Sequence, residues 1–157
     1  MQNFNNLPLR LGVGIVVLNK KNQVFVGKRI DNPGNSWQMP QGGVDKNENF
    51  LHAAKRELEE ETGIKSVKLI KELNELLTYD LPDSLLGKIW KGKYRGQKQK
   101  WFIMKFIGED SEINIKTKHP EFLDWKWIDL EELTKIAVPF KLEVYKKIKS
   151  ELKKIIN

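Results

Sequence analysis

Glu57, Glu59, Glu60 and Glu61 stand in one short run of the chain, and their spacing decides what they can do. On a helix turning 100° per residue, Glu57, Glu60 and Glu61 fall within an arc of about 100°. Leu51, Ala54 and Leu58 make an adjacent stripe suited to a core. Carboxylates at i, i+3 and i+4 repel one another. They also crowd the negative end of the helix dipole, where cations are favoured. Two readings follow: a solvated acidic face that tolerates the repulsion, or a site where a divalent cation cancels it. Oxygen donors with no cysteine and no paired histidine select Mg²⁺ or Mn²⁺ over zinc. Just upstream, Trp37-Gln38-Met39-Pro40-Gln41-Gly42-Gly43 ends on two glycines, where a backbone can approach a ligand closely.

Cations supply a second set of candidates. The chain carries 24 Lys but only four Arg, namely Arg10, Arg29, Arg56 and Arg95. Such sparing use reserves arginine for places that need its planar fork. Arg56 is read as a partner of Glu48 or Glu60. Arg10 and Arg29 flank the two N-terminal strands and are either surface arginines or places that need the fork. Gln97, Lys98 and Lys100 sit in a basic stretch, some placed to reach phosphate and others solvated. Phe140 reads as core at the start of a helix stripe, Tyr79 is open between core and substrate wall, and Trp37 is read as scaffold. His52 and His119 have no metal-ligand spacing and read as surface residues.

Elements must position these groups. Leu11–Leu18 and Val24–Val26 read as strands joined through the turn Asn19–Asn22, and Asp31–Ser36 as a loop. Asn49 is placed to cap a helix running to about Glu61, with Gly63 ending it in the left-handed region. Val67–Leu77 and Gln99–Ile107 read as strands, the second apolar on both faces and therefore central. A short strand carries Trp125 and Trp127. Asp129 is placed to cap a helix over Leu130–Ile136. A last helix follows Pro139, with Phe140, Val144, Ile148, Leu152 and Ile155 on one stripe. The interleaving predicts an α/β domain with a mixed sheet and helices on both faces.

The 157 residues and 18.4 kDa suit one domain over 1–157. Zero cysteines remove disulfide frameworks, thiolate metal sites and cysteine nucleophiles. No apolar run reaches membrane-span length, and Met-Gln-Asn-Phe-Asn-Asn lacks the charge and apolar core of a signal peptide. The expected compartment is the cytoplasm, with no membrane contact and no obligate protein partner. A net charge of +7 fits an anionic partner or simply a lysine-covered surface. The same choice applies to Lys146, Lys147, Lys149, Lys153 and Lys154 on the last helix.

Gly42, Glu48 and Arg56-Glu57-Leu58-Glu59-Glu60-Glu61-Thr62-Gly63-Ile64 together match the Nudix box (42–64) without a gap. Blocks such as Arg10-Leu11-Gly12-Val13-Gly14, Tyr79-Asp80-Leu81-Pro82, Gly96-Gln97-Lys98-Gln99-Lys100-Trp101-Phe102, Pro120-Glu121-Phe122 and Val138-Pro139-Phe140-Lys141 extend the likeness from residue 9 to about 145. They resemble the Nudix branch of bacterial RNA pyrophosphohydrolases and plant-type dinucleoside tetraphosphate hydrolases. The resemblance implies an α/β/α sandwich and hydrolysis of a phosphoanhydride. It implies Glu57, Glu60, Glu61 and Glu121 as metal ligands, joined by the Gly42 carbonyl, for Mg²⁺ or Mn²⁺ and more than one ion when substrate is bound. Glu60 and Glu121 are the candidates for general base. Arg10 and Arg29 match phosphate-contacting positions, and Val138 and Phe140 a base platform whose edge Lys141 reaches. Leu9-Arg10-Leu11 stands where the family usually has Tyr-Arg-Pro, and Asn47 where it often has glycine.

The leading expectation is an RNA pyrophosphohydrolase that releases pyrophosphate from triphosphorylated 5′ ends and so starts RNA decay. The alternative enzyme is an asymmetric dinucleoside tetraphosphate hydrolase giving ATP and AMP. A non-catalytic nucleotide- or RNA-binding module is the third reading, although all four metal-site carboxylates are present.

Overall fold

The computed structural model describes residues 6–31 and 34–156; Asn32 and Pro33 of the expected loop lie outside the described residues. Two long neighbours, β1 (Leu9–Leu18) and β6 (Gly96–Phe106), run parallel in register from Leu9↔Gly96 to Leu18↔Lys105. Their side chains alternate between faces, and both faces are covered, so both strands are almost continuously apolar in their second halves. The other pairs are antiparallel: β2 (Val24–Arg29) with β1 and β7 (Phe122–Ile128), β3 (Gln41–Gly43) with β1, and β4 (Val67–Glu72) and β5 (Leu77–Asp80) with β6. The result is one mixed seven-stranded sheet.

Helix α1 (Phe50–Thr62) lays Ala53, Ala54 and Leu58 on one face, against Val13, Ile15, Val17, Phe25, Phe102 and Met104. Helix α2 (Leu142–Ile155) lays Val144, Tyr145, Ile148 and Leu152 on the other, against Val16, Val26, Trp101 and Ile103. This is the expected three-layer α/β/α arrangement.

The ends of α1 follow from single residues. Asn49 is extended (φ −79°, ψ 160°), and its side-chain oxygen accepts from the His52 amide at 2.8 Å. Gly63 has φ 75°, and its amide donates to the Glu59 carbonyl. Asn47 has φ 65°, a region asparagine adopts more readily than most residues.

Three expectations need correction. The strand expected over Val67–Leu77 is two strands, β4 and β5. A register shift between Leu69 and Lys71 precedes the break, and both segments pair with different stretches of β6. β6 itself begins at Gly96, because β1 and β5 flank it there. Asp129 opens only a 3₁₀ turn over Leu130–Glu132, with no cap from its side chain; its Oδ1 instead accepts from Gln23 at 3.2 Å.

Candidate active site

Helix α1 points its C-terminal turn at strand β3, and the contact there is close. A Cβ on Gly42 would collide with the Glu57 carboxyl, and one on Gly43 with the Arg10 guanidinium. The two glycines therefore let an acidic and a basic side chain reach the same backbone from opposite sides.

Arg56 organises the acidic turn. Its Nε and Nη2 donate to the two oxygens of Glu48 at 2.8 and 2.9 Å, and Nη2 also to the Gly43 carbonyl at 2.9 Å. Nη1 donates to Glu57 at 2.9 Å and to Glu60 at 3.2 Å. This fork holds the Glu48 carboxyl down at about 2 and ties the loop before α1 to its last turn.

Glu61 is the opposite case. It is buried (4% exposed), and its Oε2 has no hydrogen-bond partner among the described residues. Burial, then the nearby charges of Glu57 and Glu121, push its carboxyl well above the usual range. Burial also raises Glu57, against the pull of Arg56. Glu121 enters from outside the helix: the Ile30 amide donates to its carbonyl at 3.0 Å, where β2 and β7 shift register, and Arg29 Nη2 lies 3.8 Å from its carboxyl.

An unpartnered buried oxygen among four carboxylates fits a hard, oxygen-preferring divalent cation. Among the described residues no three such side chains converge on a single point. Glu57 and Glu60 turn toward Arg56 instead, the nearest positive charge.

All five candidate ligands, Gly42, Glu57, Glu60, Glu61 and Glu121, line one cavity of about 970 Å³. Its other end is aromatic and basic. Tyr79 and Phe140 pack with ring centroids 5.6 Å apart, and Val138 lies beside them. Lys141 is buried, its Nζ donating to Gln38 at 3.1 Å and lying 5.3 Å from the Tyr79 ring centre. Burial first, then the charge of Arg29, lowers its ammonium to about 7. Arg29 grips Asp31 through two hydrogen bonds of 2.6 and 2.7 Å, and Arg10 lies over the Trp90 ring at 5.3 Å.

Three candidates fall elsewhere. Gln97 is buried among Tyr79, Gln99 and Gly12, beneath the cavity rather than on its wall. Lys98 and Lys100 do not line the cavity either, because strand alternation turns them to the face opposite Gln97 and Gln99. Lys100 pairs with Glu72 at 3.4 Å. His52 contacts Glu48 at 2.6 Å, and His119 is exposed. Trp37, read as scaffold, packs on the core and also lines the cavity. Sequence reasoning missed Gln38, Asp31 and Trp90. A bulky tryptophan in the irregular stretch between β5 and β6 was the available signal for Trp90.

The NUDIX domain model matches residues 8–148. The chain is 70% identical over 152 residues to the RNA pyrophosphohydrolase of Pelagibacter ubique, covering 97% of this chain and 96% of that one. It is 51% identical over 148 residues to that of Sphingopyxis alaskensis, covering 93% and 94%. In fold it is similar to the C. elegans Ap4A hydrolase (TM-score 0.67, 24% identity, 92% and 98% covered). It is likewise similar to the E. coli dihydroneopterin triphosphate pyrophosphohydrolase (TM-score 0.68, 19% identity, 89% and 96% covered). With the box helix, its glycines and its carboxylates in place, the chain belongs to the Nudix family.

Proposed function

We propose that this chain is an RNA pyrophosphohydrolase, acting in the cytoplasm as one domain over 1–157. It adds water across a phosphoanhydride of a 5′-triphosphorylated RNA, leaving a 5′-monophosphate end and releasing pyrophosphate. The observation that carries the reading is the polarity of this cavity, acidic at the end of α1 and basic and aromatic at Phe140 and Lys141. The relatives' names and the +7 charge favour RNA over a small nucleotide.

Glu57, Glu60, Glu61, Glu121 and the Gly42 carbonyl would hold Mg²⁺ or Mn²⁺, more than one ion with substrate present. Bound there, the metal supplies neutralisation of phosphate charge and acidification of water. Glu60 or Glu121, the more exposed carboxylates at 58% and 47%, would accept the proton of the attacking water. Arg10 and Arg29 orient the phosphate chain. Val138 and Phe140 seat a base, with Tyr79 behind them, and the Lys141 ammonium reaches its edge. Arg56, Glu48 and Gly63 hold the helix end in place.

The test is a competition in Mg²⁺ between a short 5′-triphosphorylated RNA and diadenosine tetraphosphate, with Glu60→Gln as control. Faster conversion of the RNA to a monophosphate end, lost in Glu60→Gln, is the expected result. Faster cleavage of the dinucleotide to ATP and AMP would move the chain to the dinucleoside tetraphosphate hydrolases. No turnover of either would overturn both enzymatic readings and leave a binding module.

A further inference from the structure

Lysines on this protein meet three kinds of surroundings among the described residues: a carboxylate, an aromatic ring, or neither. Many are neutralised: Lys149 by Glu131 at 3.0 Å, Lys71 by Glu151 at 3.2 Å, Lys146 by Glu143 at 3.2 Å. Lys28 and Lys126 have no carboxylate within ion-pair distance among the described residues. Their ammoniums lie instead over the Trp37 ring, 5.4 and 4.2 Å from its centre. Every cation–π contact among the described residues uses a ring that lines the cavity: Trp37, Trp90, Tyr79 or Phe140. A carboxylate partner cancels an ammonium's charge. A ring face orients the ammonium and leaves its full unit charge available.

The placement is built from the sheet. Lys28 lies on β2 and Lys126 on β7, and Val26 opposes Lys126 while Lys28 opposes Asp124, so the two lysines are diagonal neighbours on one face. Trp37 is fixed beside them. Its amide donates to the Ile136 carbonyl at 2.9 Å, and the next residue, Gln38, exchanges both backbone hydrogen bonds with Gly27. The Gln38 side chain in turn accepts from Lys141, next to Phe140. The path from the base platform to the two free ammoniums is therefore Phe140, Lys141, Gln38, Trp37.

We propose that Trp37, Lys28 and Lys126 form a subsite for the phosphodiester backbone of the RNA chain as it leaves the cavity. The occupant is single-stranded RNA, because the feature beyond the base platform is a pair of ammoniums held on one ring with no carboxylate within ion-pair distance among the described residues, Asp124 opposite Lys28 included. A dinucleoside polyphosphate has no phosphodiester to place there. The inference rests on the reading of the chain as an RNA pyrophosphohydrolase.

The test compares kcat/KM for a 5′-triphosphorylated dinucleotide and a 5′-triphosphorylated octanucleotide across a salt series, for wild type, Lys28→Gln/Lys126→Gln and Lys28→Arg/Lys126→Arg. Thermal melts confirm that each variant is folded. Wild type is expected to favour the octamer by roughly 5- to 10-fold at low salt. The glutamine variant should lose that preference, with a log–log salt slope for the octamer shallower by about 0.7 per lysine removed. The arginine variant should restore both. An unchanged preference and slope, or an equal loss on both RNAs, would overturn the subsite. No turnover of either RNA by wild type would instead overturn the reading of function on which it rests.

Discussion

The two ends of the cavity treat charge in opposite ways. At the C-terminal turn of α1, carboxylates are gathered against their mutual repulsion, and Glu61 is buried with an oxygen that no described residue satisfies. At the far end the Lys141 ammonium rests on Tyr79 and Phe140 with no carboxylate within ion-pair distance among the described residues, and burial lowers it to about 7. Between them Arg56 shows what a purely scaffolding charge looks like, with its donors shared among Glu48, Glu57, Glu60 and the Gly43 carbonyl. A charge that serves the fold is fully paired by the fold. One left short of partners by the fold marks where a ligand of opposite sign belongs.

The sharpest way to break that contrast is Glu61→Gln. It removes the buried charge but keeps the side chain's shape, so stability and function should separate. Activity is expected to fall by roughly 10²-fold or more. The metal-free variant should melt no lower than wild type, since an unpaired buried carboxylate is a liability. Adding Mg²⁺ should raise the wild-type melting temperature by roughly 5–10 °C and leave the variant's almost unmoved. A variant that melts well below wild type without metal would show that Glu61 serves the fold, and the contrast would fail.

At the other end, pH is the probe. Below about 7 the Lys141 ammonium is charged and can meet a phosphate or a base edge; above it the amine is neutral. KM should therefore rise several-fold as pH climbs from about 6 to about 8, and Lys141→Met should lack that component of the profile. Stability runs the other way. The folded protein carries this lysine well below its ordinary 10.5, so the penalty of burying the ammonium is fully present below about 7. That penalty is relieved as pH rises toward 10.5. Relative to Lys141→Met, wild type should gain stability over that interval. Identical KM profiles in the two proteins would remove Lys141 from substrate binding.

The acidic end was far more legible in the sequence than the basic end, for a physical reason. Gly42, Glu48, Arg56, Glu57, Glu60, Glu61 and Gly63 lie in one continuous stretch, from β3 through the following loop to α1 and its cap, so fixed spacing translates directly into geometry. Asn49 and Gly63 even bound that helix correctly. The basic and aromatic end is assembled from irregular segments and 3₁₀ turns far apart in the chain, and nothing local says that Trp37, Trp90 and Phe140 share a wall. Lys98 and Lys100 do not line the cavity because a strand shows alternate residues to opposite faces. Which face meets a ligand depends on what covers the other. The break between β4 and β5 was hidden for a similar reason: both segments are apolar enough to read as one strand, and only their register on β6 separates them.

The smallest effect belongs to Asn49→Ala. Asn49 closes the end of α1 remote from the crowded glutamates, and its one side-chain bond is the exposed contact with the His52 amide. Loss of that cap should cost about 1 kcal/mol of stability in urea denaturation, or roughly 3 °C in melting temperature. Glu57, Glu60 and Glu61 are held at the other end by Arg56, which Asn49 does not touch, so kcat and KM of the folded enzyme should not change. If kcat fell together with stability, strain at the helix start would be reaching its last turn. Arg56 would then not be what fixes the carboxylates, and the division between charges that serve the fold and charges that await a ligand would have to be redrawn inside α1 itself.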